Sequence, residues 1–370
     1  MVRYAARLSP SDLGSERGLT QIRLIEELHD KGLIQTVQLN LSHPATYGVA
    51  HDAAWEHLVK TGNRTGLNFI LHGPGPGQGF NFTVSRGEDE SWTRIRSNPV
   101  FGVETMDDYI AMMLKYCQGR LDMLSEAGLL GYPQGERPFV VYHPGTTHFI
   151  CPDGNQDYKD FFNAKEPRTL NDYLRMMSTQ FSGFDISLET VPPLQSDGLT
   201  VASHDRLQAL TLFSTPELQR AVFAQKIRPL YRVRDLTHEL AGFFQWRRYP
   251  NSFKAPYDND DLIEAAIQYM TDLEEAIPPE LTSGVIHDSG LPYKDHEFVP
   301  YDVHDELGNA SVLTCDQQNN VALEGIVGNQ LRRHFATHPD AVLVLELNYL
   351  RSLRQVENQI RYMRENIIKS

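Results

Sequence analysis

The sequence predicts a protein of the α/β class, an eight-stranded parallel (β/α)8 barrel with long loops after several of its strands. Three observations predict it. Short β-rich runs alternate with stretches of helical spacing along the whole chain, the pattern of repeated βα units. Eight such runs can be counted, and eight parallel strands with intervening helices close most simply into a barrel. Histidines and carboxylates recur at the ends of these runs, where a barrel of this kind opens its active-site face.

In chain order the runs are VRYAA near Arg3, TVQLNLS from Thr36, LNFILHGP from Leu67, FVVYHPG from Phe139, DISLETVP from Asp185, PLYRVRD from Pro229, FVPYDVHD from Phe298 and AVLVLELN from Ala341. Between them lie helical patterns. In SERGLTQIRLIEELHDKG, Leu19, Ile22, Ile25 and Leu28 share one face and Gly32 supplies the C-cap; MDDYIAMMLKYCQGRLDMLSEAG and DDLIEAAIQYMTDLEEA are two more. Two strands carry local conflicts. The sixth places Arg232 and Arg234 where a buried strand should be apolar, and the seventh contains Pro300, which is tolerated only at an edge or near a strand start. No Gly- or Pro-rich linker divides the chain, so residues 1–370 are expected to form a single TIM-barrel domain with insertions near 75–106, 146–169 and 277–297. Loops of that length in a compact fold are more often lids and binding loops than accidents.

Composition excludes several classes. Hydrophobic residues at 41% and charged residues at 22% are ordinary for a globular enzyme, which removes fibrous and disordered readings. No apolar run approaches the roughly 20 residues of a membrane span. The N-terminal MVRYAARLSPSDLG lacks the apolar core of a secretory signal, so a cytoplasmic protein without a membrane partner is expected. The three cysteines, Cys117, Cys151 and Cys315, form no CxxC pair and suggest neither a disulfide framework nor a thiolate zinc knuckle. A formal charge of −14 argues against a broad nucleic-acid surface but leaves room for a local basic patch.

The chemistry is carried by the strand ends. The third run ends in His72, the fourth in His143, the fifth in Glu189, the sixth in Asp235 with His238 three residues on, the seventh in His304 and the eighth in Glu346. In a parallel barrel these residues converge on one face. Glu189 and Glu346 directly follow apolar strand residues, where an ionised carboxylate costs several kcal/mol unless it is paired or ligates a metal. Imidazole nitrogens mixed with carboxylate oxygens suit zinc, manganese or iron, and a carboxylate can bridge two such ions to activate water. RDLTHEL, which carries Asp235 and His238, also reads as an exposed helical turn, and Asp316 lies in a polar loop that could be mere surface. HGPGPGQG after the third run lacks the Gly-Lys-Ser/Thr ending of a phosphate loop. FFQWRRYPNSFK, with Trp246, Arg247 and Arg248, has the interleaved aromatic and basic residues of a substrate-stacking, phosphate-contacting loop.

HPG after one strand, LET after the next, then D-x-x-H, a His, an Asp and LE in the last strand closely resemble the endonuclease IV (AP endonuclease family 2) family within the xylose isomerase-like barrel superfamily. The resemblance implies that His72, His143 and Glu189 hold one metal, and that Glu189 bridges to a second held by Asp235, His304 and Glu346. A third would be held by His238 with an Asp-x-His pair. Asp316 matches that pair, but Gln318 stands where its His belongs, so two ions are expected. The function implied is metal-dependent hydrolysis of a phosphodiester, abasic DNA being one such substrate, with Glu189 and Glu346 as catalytic carboxylates.

The chain also resembles the sugar and sugar-phosphate isomerases and epimerases of the same superfamily. These use one metal held by Glu, Asp, His and Glu, here Glu189, Asp235, His304 and Glu346, with the two glutamates exchanging substrate protons. His72 and His143, which a one-metal epimerase does not need, tilt the reading toward the hydrolase. His287 in GVIHDSG competes with His304 for the seventh strand; FVPYDVH is the better strand, and its distance to Asp316 suits the endonuclease-like loop.

Overall fold

The computed structural model describes residues 2–8, 16–41, 49–73, 106–142, 184–189, 232–236, 239–240, 262–288, 293–294, 297–298, 317–346 and 353–368. Its strands are β1 (Arg3–Leu8), β2 (Thr36–Asn40), β3 (Asn68–His72), β4 (Phe139–Tyr142), β5 (Asp185–Glu189), β6 (Arg232–Asp235), β7 (Val285–Asp288) and β8 (Val342–Leu345). The described helices are α1 (Glu16–Asp30), α2 (Val49–Thr65), α3 (Met106–Glu126), α4 (Leu262–Ala276), α5 (Gln317–Thr337) and α6 (Leu353–Tyr362). Each strand pairs in parallel with its neighbour in sequence, and β8 returns to β1 through Tyr4 opposite Leu343, so the sheet is a closed TIM barrel.

The seventh strand corrects the sequence reading. The barrel strand is Val285–Asp288, inside the 277–297 stretch expected to be an insertion. Of the run from Phe298, the described residue Phe298 belongs with Glu297 to a two-residue strand, antiparallel to Tyr293–Lys294 and outside the barrel. The physical reason is the demand of a closed sheet. Every strand there is paired on both sides, so Pro300, without an N–H, is unsuited to it. Four residues bounded by glycine suffice: Val285 and Ile286 are buried, and the N–H of Gly284 is held by Glu136 Oε1 at 2.5 Å. The expected insertions near 75–106 and 146–169 lie outside the described residues, except for Met106 at the start of α3.

Register decides which way side chains point, because paired residues on adjacent strands share a face and alternate residues along a strand oppose each other. Thr36, Gln38 and Asn40 pair with Asn68, Ile70 and His72; His72 pairs with Val141, and Val141 with Ser187. Two residues beyond Ser187 is Glu189, which pairs with Val233; Asp235 then pairs with His287, and His287 with Val344, two residues before Glu346. This face is the barrel interior. The opposite face carries Tyr4, Leu8, Val37, Leu39, Phe69, Leu71, Val140, Ile286, Leu343 and Leu345, all buried. The helices supply buried Ile22, Ile25 and Leu28 of α1, Trp55 and Leu58 of α2, and Tyr269 and Leu273 of α4 to the same hydrophobic core. Arg234 of β6 and Asp288 of β7 are charged side chains buried on this face.

The N-terminal end of the barrel is tied by a polar group. Arg3 Nη1 donates to Gly131 O at 3.1 Å, and Gln134 N to Asp340 Oδ2 at 2.7 Å. Burial pushes the Glu136 carboxyl up to about 7, against the Gly284 hydrogen bond, which favours ionisation. Between its ordinary value of 4.5 and about 7 the folded protein therefore keeps a proton that the unfolded chain has released, so this group's contribution to stability is lost as pH rises through that window. Glu136→Gln keeps an acceptor for Gly284 and removes the titration. Melting temperatures at pH 4.5 and 7.5 should show the variant gaining on the wild type as pH rises; a constant difference contradicts this account.

Candidate metal centre

β5, β6, β7 and β8 each deliver one residue to the same point. Glu189 is the last residue of β5, Asp235 the last of β6, His287 the third of β7, and Glu346 immediately follows β8. One ligand atom from each lies within 4.8 Å of all the others, and all four side chains are buried. Their convergence follows from the register, since all four lie on the inward face at the C-terminal edge of the sheet.

The arrangement is held from several sides. His287 Nδ1 lies 2.7 Å from Glu189 Oε1 and 3.5 Å from Glu346 Oε1. The other Glu189 oxygen, Oε2, is 2.8 Å from His72 Nε2, and His72 Nδ1–H donates to Gly73 O at 2.7 Å. The His72 and His287 rings are stacked with centroids 6.0 Å apart. Gln38 Nε2 donates to Glu346 Oε1 at 3.2 Å, and Arg7 Nη1 lies 3.9 Å from the same oxygen. Arg7 is itself held at the mouth by Asn40, whose Oδ1, with the amide oriented to satisfy both groups, accepts from Nε at 2.7 Å and Nη2 at 2.9 Å.

The electrostatics call for a cation. Burial alone would push the His287 imidazole down, but the carboxylates of Glu189, Glu346 and Asp235 outweigh it and raise it to about 9. Three buried carboxylates crowd one point, and separating such charges from water without compensation is expensive. The donor set fits a single divalent ion. Ligand atoms at about 2.1 Å from one ion lie roughly 3 Å apart when adjacent and about 4 Å apart when opposite, and His287 Nδ1 lies 2.7 Å and 3.5 Å from the Oε1 atoms of Glu189 and Glu346. His287 turns Nδ1 into the cluster, while its Nε2 makes no hydrogen bond to the described residues. Three carboxylates and one imidazole suit manganese, zinc or iron.

The structure thus brings together His72, Glu189, Asp235 and Glu346, four of the residues singled out in the sequence. The seventh-strand histidine is His287, not His304. His143, His238, His304, Asp316 and the loop residues Trp246, Arg247 and Arg248 lie outside the described residues. Three contributors were not chosen from the sequence: His287, weighed there only as a competitor of His304, and Gln38 and Arg7, which were not singled out. GVIHDSG carried the signal for the first, an apolar pair followed by His-Asp between two glycines. The alternation of Thr36, Gln38 and Asn40 in an otherwise apolar run marks an inward polar face, and that was the signal for the second.

No protein-family model matches the chain, and no curated protein matches it. Among solved structures it is similar to an L-ribulose 3-epimerase, with 12% identity over 98% of this chain and 93% of that one and a TM-score of 0.40. It is also similar to a conserved exported protein from Bacteroides fragilis, with 10% identity over 93% of this chain and 69% of that one and a TM-score of 0.40. No helix among the described residues is long and apolar enough to cross a membrane.

Because His287 in the metal-free protein holds its proton up to about pH 9, an ion binding at Nδ1 must displace it. Affinity for Mn2+ should therefore rise with pH up to about 9, by at most about tenfold per unit for one displaced proton. Calorimetric titration at pH 7 in two buffers of different ionisation heat should show about one proton released per ion bound. Identical heats in both buffers would contradict the assignment of His287 as a ligand.

Proposed function

We propose that the protein is a metal-dependent isomerase or epimerase of a sugar or sugar phosphate, with one divalent ion held by Glu189, Asp235, His287 and Glu346. The observation that carries this reading is the composition of the cluster. Two glutamates, from β5 and β8, flank an Asp and a His from the two strands between them. That is the Glu, Asp, His, Glu set of the one-metal isomerases and epimerases that the sequence resembles, with His287 in the place expected of His304.

A bound divalent ion would polarise a substrate carbonyl and its neighbouring hydroxyl, making the intervening C–H acidic. The rest falls to the protein's own side chains. One glutamate takes the proton as the C–H bond breaks, and the other returns a proton to carbon as the new C–H bond forms. The first ends protonated, the second ionised, and exchange with solvent restores both. His72 donates from Nδ1 to Gly73 O and places Nε2 2.8 Å from Glu189 Oε2, where the two atoms can share a proton. Gln38 and Arg7 hold Glu346 Oε1 from the other side.

One observation favours a second reading. The same His72–Glu189 contact is what a bridging glutamate with a second metal on His72 would need, as in the two-metal phosphodiester hydrolases that the sequence also resembles. Metal count separates the two, one ion per chain against two.

The first test is carbon-bound hydrogen exchange, followed by NMR on a panel of ketoses and ketose phosphates in D2O with Mn2+. The wild type should incorporate deuterium next to the carbonyl, and chelator should stop it. Glu189→Gln and Glu346→Gln should each lower the rate by about 10²-fold or more. Two ions per chain, no exchange, and cleavage of an abasic oligonucleotide would replace this reading with the hydrolase.

A further inference from the structure

β6 is the strand whose sequence fits its position least well, and the structure shows why an arginine stands in it. Arg234 points away from the barrel interior into the layer shared with the helices, where its register partner Ile286, and Leu343 beyond it, are buried and apolar. It is 3% exposed, as is Glu239. The two form a two-point ion pair, Nε to Oε1 at 3.0 Å and Nη2 to Oε2 at 2.5 Å. The remaining terminal nitrogen, Nη1, donates to Gln330 Oε1 of α5 at 3.2 Å, and Gln330 Nε2 in turn donates to Met270 O of α4 at 3.5 Å.

Asp235 lies inside the ring that this pair closes, being the residue next to Arg234 and four before Glu239. Among the described residues, β5 pairs with β6 up to Glu189 opposite Val233, and β7 pairs with it at Arg234 and Asp235. A buried ion pair is often no more stabilising than an apolar pair of the same volume. Stability therefore does not by itself account for an arginine and a glutamate here, whereas a rigid planar fork gripping a carboxylate at two points does fix geometry.

We infer that the Arg234–Glu239 pair is a clasp that holds Asp235 in position to ligate the metal, a positioning role that rests on the metal reading above. The clasp anchors the exit of β6 to α5 directly and to α4 through Gln330. Asp235 faces the opposite side of the same two-residue segment, so the clasp fixes the backbone from which its carboxylate reaches the cluster.

The test compares Mn2+ affinity with metal-free melting temperature, both on chelator-stripped full-length protein, free Mn2+ being read by electron paramagnetic resonance. Arg234→Met alone strands a buried carboxylate and is expected to unfold or weaken the protein, so the informative variant is Arg234→Met/Glu239→Leu, which replaces both charges with apolar groups. The double variant should melt within a few degrees of the wild type yet bind Mn2+ about tenfold more weakly or worse, the size of effect seen when groups that orient metal ligands are removed. Arg234→Lys keeps the charge but cannot grip two oxygens at once, and should also bind Mn2+ more weakly than the wild type; this variant decides the matter if the double variant does not fold. Wild-type affinity in a folded double variant, or in Arg234→Lys when the double variant does not fold, would overturn the clasp and leave the metal reading intact. A wild-type protein that binds no Mn2+ would overturn both.

Discussion

Closure of the sheet by β1 and β8 is the constraint on which the site depends. A closed parallel barrel has no edge, so all its strands run the same way and end on the same rim. Once Tyr4 pairs with Leu343, the register carries a single inward face around the circle from Gln38 through His72 and Glu189 to Asp235 and His287. Four residues separated by up to 157 positions, from Glu189 to Glu346 (346 − 189), meet within 4.8 Å because each sits at the inward C-terminal edge of a strand.

The two faces of the sheet handle buried charge differently. On the inner face, three carboxylates, from Glu189, Asp235 and Glu346, converge with the His287 imidazole, and Arg7 lies 3.9 Å from Glu346. On the outer face, Arg234 and Glu239 neutralise each other at hydrogen-bond distance within the apolar layer. The first arrangement gathers ligand atoms from four strands at one point, and the second joins one guanidinium to one carboxylate. They are adjacent in sequence because successive residues of a strand face opposite ways.

Much of the barrel was legible in the chain. The runs at Thr36, Leu67, Phe139, Asp185 and Ala341 read as strands because they are apolar or alternating, bounded by turn residues, and followed by helical spacing. Glu189 and Glu346 were legible for a different reason: a carboxylate directly after a buried apolar run has few uses other than ligation or pairing. The seventh strand was not. Local preference favoured the longer run from Phe298 over the four residues Val285–Asp288, and nothing local reveals that a strand will be paired on both sides and cannot carry Pro300. The sixth strand was read in spite of a local conflict, since Arg234 looks like a surface residue until its partner five positions later is known.

The sequence by itself determined the fold class, the order of the strands, and the kinds of atom at their ends, because alternation, helical period and turn chemistry act over a few residues. Only the tertiary structure decided which histidine enters the cluster, which face of β6 is inward, and that Gln38 and Arg7 reach Glu346 from across the barrel. Those outcomes depend on register and closure. Register is a relation between strands far apart in the chain, and shifting it by one residue reverses every side chain without changing a single local preference.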